Sequence, residues 1–112
     1  DAYRLTVDSS GVCLESATEA GLFHATQTLA QLRTRFPKRL PLLTIDDWAD
    51  YPVRGFYYDV ARGKGPKLRT LLQLAETCAR YEINHLELYV EHTYAFARHP
   101  EVWKGTDTLT RE

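Results

Sequence analysis

Apolar and polar residues alternate at the start of the chain. Tyr3, Leu5 and Val7 are separated by single polar residues, which is the period of a β-strand with one buried face. The turn-forming segment 8–11 comes next, followed by the apolar segment 12–14. Together these three segments predict a β-hairpin.

A helical period follows the hairpin. Four apolar residues recur at intervals of three, four and seven: Leu22, Leu29, Leu32 and Phe36. This spacing predicts a helix over residues 17–35 that packs on the hairpin and ends before Pro37. Ser16 and Glu19 have the spacing of a capping box, in which each side chain accepts a hydrogen bond from a free backbone N–H group.

The middle of the chain contains a short apolar run and then a polar segment. Residues 42–45 fit a third strand. Residues 46–52 are polar and include Pro52, so they are the best candidate for a linker. The sequence therefore predicts two units joined near residue 48.

Residues 51–92 have the pattern of strand, helix and strand. Phe56, Tyr58 and Val60 alternate with polar or mixed residues, and Pro66 suits the first turn of a helix. The helix has an apolar stripe, formed by Leu68, Leu71, Leu72, Ala75 and Ala79. The second strand places Leu86, Leu88 and Val90 on the face that packs under this helix. About forty residues in this order predict one βαβ unit.

Polar side chains follow both strands of this predicted unit. Asp59 and Arg62 come at the end of the first strand, and Glu91 and His92 at the end of the second. The carboxyl ends of neighbouring parallel strands are about 4.8 Å apart, so Arg62 and Glu91 are expected to meet. A guanidinium and a carboxylate together suit neighbouring sugar hydroxyls. A structural ion pair is the alternative interpretation, and the residues alone leave both open.

Other charged residues near these strands favour structural roles. Asp59 is expected to anchor a neighbouring backbone group or one of two arginines, Arg54 and Arg62. Arg54 itself lies at the opposite end of its strand from the chemistry. Gly63, Lys64 and Gly65 resemble a phosphate-binding turn but lack the full motif, so a solvated turn is favoured.

Histidines and aromatic residues are further candidates. The four histidines have no recognised spacing of metal ligands, so no metal site is predicted. Trp103, Tyr94 and Phe96 follow the second strand, where they fit either a surface that stacks on sugars or a structural cap. Both interpretations of the aromatic residues stay open.

Composition places limits on possible partners. The chain has 112 residues, of which 44% are hydrophobic and 26% charged, as in an ordinary globular protein. Its formal net charge of −1 argues against binding to nucleic acid or to an anionic membrane surface, and no apolar run is long enough to span a bilayer. Cys13 and Cys78 are expected to be buried thiols. The absence of Met and the ends of the chain suggest part of a longer protein.

Several of these segments together resemble glycoside hydrolase family 20, the β-N-acetylhexosaminidases. The likeness is carried by the hairpin strand 3–7, the helix 17–32, the segment 43–47 and above all the run from Pro52 to Arg62. The resemblance implies an α/β fold in two parts. Residues 1–48 would end a small α/β domain as a β-hairpin–helix–strand unit, and residues 49–112 would begin a (β/α)₈ barrel with its first βαβ unit.

The resemblance also implies roles for two residues. Arg62 matches an arginine that binds sugar hydroxyls, and Glu91 falls where the family usually has an aspartate, so both are expected to bind substrate. The reaction is assisted by the acetamido group of the substrate and needs no cofactor. Its catalytic Asp-Glu pair comes from the fourth strand of the barrel and is absent here, so the isolated chain is expected to be inactive.

Two departures from the family pattern affect these expectations. Gly63 stands where the family commonly has His, and Glu91-His92 replaces the usual Asp-Asp. A divergent substrate preference would follow. A non-catalytic carbohydrate-binding barrel is the alternative function, and an Asp-Glu dipeptide elsewhere in the complete protein would separate the two. In either case the expected partners are a carbohydrate and the rest of the same polypeptide.

Overall fold

The computed structural model describes residues 1–63 and 65–110. It is an elongated α/β structure of 63 × 29 × 21 Å with two small sheets. The first half contains β1 (Tyr3–Val7), β2 (Val12–Ser16), α1 (Glu19–Arg35) and β3 (Leu43–Asp47). The second half contains β4 (Gly55–Asp59), α2 (Leu68–Arg80), β5 (His85–Tyr89) and the short α3 (Pro100–Trp103).

The first sheet has the strand order β2-β1-β3, with both neighbours antiparallel to the central β1. Tyr3, Leu5 and Val7 are buried on β1 and form a core with Ala25 of α1, as the alternation predicted. Burial of its ring raises the pKa of Tyr3 to about 12. The predicted hairpin and the helix packed on it are confirmed.

The start of α1 differs from the prediction. The N-cap is Thr18, whose side chain accepts a hydrogen bond from the Gly21 N–H, and the helix begins at Glu19. Ser16 is instead the last residue of β2, and its hydroxyl donates to the Ala2 carbonyl at 2.7 Å. The predicted capping box was wrong because Ser16 Oγ accepts from the Thr18 N–H at 3.1 Å, one residue before the helix begins, and Thr18 caps the helix instead.

Two further predictions about the first half need correction. The predicted linker begins at residue 46, but β3 continues to Asp47, because Asp46 and Asp47 pair with Arg4 and Tyr3 of β1 in the antiparallel ladder. Cys13 was expected to be buried and is exposed, whereas Cys78 is buried. Cys13 lies between Val12 and Leu14 on an outer strand, where apolar neighbours in the sequence do not guarantee a buried face.

The second sheet pairs β4 with β5 in parallel, with α2 as the crossover, so the predicted βαβ unit is confirmed. Leu88 and Leu71 line the same cavity, which places this face of β5 against α2 as parity predicted. The predicted stripe of α2 was too wide. Leu68, Leu72 and Ala75 are exposed, because the helix turns Leu71, Leu74 and Cys78 inward.

The start of α2 also differs from the prediction. Lys67 is the N-cap, so Pro66 precedes the helix instead of occupying its first turn. Within residues 1–63 and 65–110, no helix combines the length and apolar character needed to cross a bilayer.

Candidate functional site

The ends of β4 and β5 bring Arg62 and Glu91 into contact. Asp59 is in register with Tyr89, and the Val60 N–H donates to the Tyr89 carbonyl at 3.1 Å, so both chains leave the sheet side by side. Arg62 Nη2 lies 3.2 Å from Glu91 Oε1. The contact expected from the two strand ends is therefore present.

Asp59 fixes the other side of the Arg62 guanidinium. Its Oδ2 accepts from Arg62 Nη1 at 2.6 Å, and its Oδ1 accepts from the Ala61 N–H at 2.8 Å. The hydrogen bond from Arg62 lowers the pKa of Asp59, and Asp59 in turn is the main cause that raises the pKa of Arg62. Asp59 thus anchors Arg62 and a backbone N–H, one of the two arginine partnerships predicted for it.

Tyr89 completes this group and was not singled out from the sequence. Its hydroxyl donates to Glu91 Oε1 at 2.6 Å, and the Arg62 guanidinium carbon lies 5.1 Å from its ring centroid. The ring of Tyr57 lies 5.9 Å from the Tyr89 ring and is tilted by 38° to it. Parity was the available signal, because Tyr89 and Glu91 are two residues apart and so share one face of the strand.

Arg62 and Glu91 retain hydrogen-bond donors and acceptors that other described residues do not use. Arg62 donates one N–H to Asp59 and one to Glu91, and a hydrogen bond with the Tyr89 side chain also helps to raise its pKa, so other N–H groups among its five remain for a ligand. Glu91 Oε1 accepts twice, whereas its Oε2 has no donor in that part of the chain. The Arg62 side chain is 65% exposed and that of Glu91 43%. The site therefore offers a donor and an acceptor side by side to a ligand from solvent.

Arg54 is remote from this site and has the structural role predicted for it. Its Nε donates to the Glu82 carbonyl at 2.7 Å, and its Nη1 to the Tyr51 carbonyl at 2.8 Å. Its Nη2 lies 3.2 Å from Asp1 Oδ2 and 3.3 Å from His24 Nε2. These contacts join the two halves of the chain.

The remaining candidates form no second site of this kind. The proposed phosphate turn rests on Lys64, which lies outside the described residues, and α2 begins only at Leu68. Among the described residues, no group of three or more His, Cys, Asp and Glu side chains is placed to hold a metal ion. The described residues therefore provide no defined site for either phosphate or a metal ion.

The aromatic residues after β5 pack on the opposite face of the strand from Glu91. The rings of Tyr94 and Phe96 meet edge to face at 4.9 Å, and both line a cavity of about 610 Å³ with Leu88 and Val90. Trp103 Nε1 donates to the Phe96 carbonyl at 2.9 Å. This packing favours the interpretation of Tyr94 and Phe96 as a structural cap.

The first half of the chain matches a known family model. Residues 1–48 match domain 2 of glycosyl hydrolase family 20. The fold as a whole is a mixed α/β fold with small sheets, similar to that of family 20 hexosaminidases.

Curated relatives extend the match into the second half. The chain is 35% identical over 88 residues to β-hexosaminidase B of Pseudoalteromonas piscicida and 37% identical over 93 residues to a β-hexosaminidase of Akkermansia muciniphila. These matches cover 79% and 80% of this chain but only 11% and 19% of the relatives. The chain belongs to glycoside hydrolase family 20 and spans a small part of the length of these relatives.

Solved structures agree with the sequence matches. A crystal structure of a β-N-acetylhexosaminidase superposes with a TM-score of 0.80 at 31% identity, over 90% of this chain and 23% of that one. A mutant β-hexosaminidase of Streptomyces plicatus in complex with its product GlcNAc gives a TM-score of 0.71 at 29% identity, over 84% of this chain and 21% of that one.

Proposed function

We propose that this chain is part of an exo-acting glycoside hydrolase that removes terminal β-linked N-acetylhexosamine. Membership of family 20 supports this, as do the relatives named β-hexosaminidases and the similar structure that contains GlcNAc. The reaction would be substrate-assisted, with the acetamido group of the sugar as the internal nucleophile. The partner is then a terminal sugar of an oligosaccharide or glycoconjugate.

The proposal divides the chain between two domains. Residues 1–48 are the C-terminal part of a small α/β domain, and residues 49–112 contain the first two strands and first helix of a (β/α)₈ barrel. The family match ends at residue 48, just after β3, which supports a boundary there. The unit β4-α2-β5 is a strand, a helix and a parallel strand in that order, which is the repeating unit of such barrels.

Arg62 and Glu91 are the substrate-binding residues in this proposal. The observation that carries it is their contact at the carboxyl ends of two parallel strands, with an unused Arg62 N–H and an unused Glu91 oxygen among the described residues. A guanidinium donates to one sugar hydroxyl while a carboxylate accepts from its neighbour.

The chain binds the sugar in this proposal and leaves the chemistry to residues elsewhere. No Asp-Glu dipeptide occurs in the 112 residues, so the pair that orients the acetamide and protonates the leaving oxygen must come from another part of the protein. Asp59 does not take the role of that acid, because its lowered pKa keeps it ionised and its two oxygens are already engaged.

Substitution of Arg62 in the complete protein tests the proposal. Arg62→Ala removes a charge-assisted bond to the sugar, each such bond being worth about 1.5–3 kcal/mol. We expect kcat/KM for a chromogenic β-N-acetylglucosaminide to fall about 10- to 150-fold, which is the same free energy expressed as a rate ratio. Arg62→Lys should recover only part of this loss, because Lys cannot bond to Asp59, Glu91 and the sugar at once. The matched control is Arg69→Ala, on the exposed surface of α2, which should leave kcat/KM within about twofold.

Three results have distinct meanings in this experiment. Equal losses for Arg62→Ala and Arg69→Ala would refute the assignment of Arg62. Binding of N-acetylglucosamine without hydrolysis by the wild type would favour the non-catalytic carbohydrate-binding protein. A complete wild-type protein that neither binds nor hydrolyses the sugar would contradict the proposed function itself.

A further inference from the structure

We infer that Tyr89 is a positioning residue that holds Arg62 and Glu91 in the arrangement that binds the sugar. This inference rests on the proposed function and adds a residue that neither the sequence pattern nor the similarity to relatives assigns. Tyr89 is the last residue of β5, so its backbone is fixed by the parallel ladder with β4. It reaches both members of the pair from this rigid position.

The first contact fixes the carboxylate. The Tyr89 hydroxyl donates to Glu91 Oε1 at 2.6 Å, the same oxygen that Arg62 Nη2 approaches at 3.2 Å. Two donors on Oε1 set the rotation of the carboxylate group. Its Oε2, which has no donor among the described residues, is thereby presented in a fixed direction to a ligand.

The second contact fixes the guanidinium. The Arg62 guanidinium carbon lies 5.1 Å from the Tyr89 ring centroid, within the range of a cation–π interaction. The ring of Tyr57, at 5.9 Å, supports the Tyr89 ring from the same sheet. Asp59 therefore holds the Arg62 guanidinium through a hydrogen bond to one nitrogen, and the face of the Tyr89 ring supports it from below.

These contacts matter because the ion pair is exposed. An exposed ion pair between two long side chains contributes little and does not hold both in one geometry. Ordering both groups before the ligand arrives lowers the entropic cost of binding a sugar through its hydroxyls. Tyr89 provides that order through one hydrogen bond and one ring face, neither of which a sugar needs to contact.

Three variants of the complete protein test the inference. Tyr89→Phe removes only the hydroxyl and leaves Glu91 disordered in the free enzyme. We expect KM to rise about tenfold with kcat changed by less than about threefold, because the cost of ordering Glu91 is then the same in the substrate complex and in the transition state. Tyr89→Leu also removes the ring and should raise KM further. Tyr58→Phe is the matched control, since Tyr58 lies on the opposite face of neighbouring β4 and its hydroxyl has no partner within the described residues.

A second measurement separates positioning from a general loss of structure. The KM effects of Tyr89→Phe and Glu91→Gln should be non-additive, because both act through the same oxygen. The melting temperature of Tyr89→Phe should match that of Tyr58→Phe. Additive effects, or equal KM values for Tyr89→Phe and Tyr58→Phe in an active enzyme, would overturn the inference and leave the proposed function standing. A wild-type protein without affinity for the sugar would overturn both.

Discussion

Arg54 and Asp1 are 53 positions apart in the chain, and their side chains meet at 3.2 Å. Asp1 precedes the central strand of the first sheet, whereas Arg54 precedes β4 of the second. Arg54 also donates to the carbonyls of Tyr51 and Glu82, one before each of the two parallel strands. One side chain, 20% exposed, therefore ties the first sheet to the amino ends of both strands that carry the candidate site.

Replacing Arg54 should destabilise the chain. Arg54→Ala leaves two backbone carbonyls without their donor, and we expect the free energy of unfolding to fall by about 2–4 kcal/mol. Arg54→Lys should recover less than half, because an ammonium cannot reach three separated acceptors in one plane. Urea-induced unfolding of the 112-residue chain, followed by tryptophan fluorescence, measures the change. Arg69→Ala is the control and should stay within about 0.5 kcal/mol; a similar loss for both would contradict the role of Arg54.

Gly21 should not tolerate a side chain, although it lies inside α1. A Cβ atom there would clash with Ser16 Oγ and lie 2.7 Å from the Ala2 carbonyl oxygen. Alanine normally stabilises a helix by about 1 kcal/mol relative to glycine. Here the added Cβ would meet the backbone carbonyl of Ala2, which can move aside only if the backbone shifts. We expect Gly21→Ala to lower the unfolding free energy by about 1–3 kcal/mol.

The control for Gly21 is the reverse exchange at the preceding position. Ala20→Gly alters only helix propensity and should cost about 1 kcal/mol. Both are measured by urea-induced unfolding. A stabilising Gly21→Ala would show that the close approach of α1 to the first sheet is not fixed.

The pair Asp59–Arg62 should make stability depend on pH. The pKa of Asp59 is lowered in the folded chain, so its stabilisation is fully present above its unfolded pKa, near 4, and is lost as pH falls through the lower folded pKa. The difference in unfolding free energy between wild type and Asp59→Asn should therefore shrink from pH 6 to pH 3. In an Arg62→Ala background this pH-dependent difference should be much smaller. A difference that is constant with pH would contradict the pairing.

The isolated chain should not hydrolyse a chromogenic β-N-acetylglucosaminide above background. General acid catalysis contributes about 10²–10⁴-fold, and the chain has no Asp-Glu pair to supply it with an oriented acetamide. The assay compares the purified chain with its Arg62→Ala variant, which removes the proposed sugar contact. Turnover that persists through repurification and falls in Arg62→Ala would show that the chain itself is catalytic.

The elements of the fold could be predicted because their burial follows a simple period. Tyr3, Leu5 and Val7 alternate and are buried, and the parallel order of β4 and β5 follows from the helix between them. Boundaries were less predictable. Ser16 is a residue type that often caps helices, but its hydroxyl donates to the Ala2 carbonyl. That hydrogen bond depends on how the hairpin meets the helix. Cys13 is exposed because an outer strand of a small sheet lacks a second layer.

The candidate site shows the same division. The meeting of Arg62 and Glu91 could be predicted, because strand ends in a parallel pair have a fixed separation. Parity places Tyr89 on the face of Glu91, but its contacts could not be predicted, because they depend on the rotamers that bring its hydroxyl to Glu91 and its ring under Arg62. Sequence spacing gives backbone proximity, and side-chain direction decides which of the adjacent groups interact.

Within the described residues, β4 and β5 pair only with each other, so each has an outer edge of unsatisfied backbone groups. An exposed strand edge can form backbone hydrogen bonds with a strand of the same chain or of another chain. In solution at high concentration, the available strands belong to other copies of the chain, and intermolecular pairing competes with the monomer. Solubility, and not the free energy of unfolding, should then set the upper concentration at which the chain can be handled. Charged substitutions that face solvent along β4 should raise that concentration.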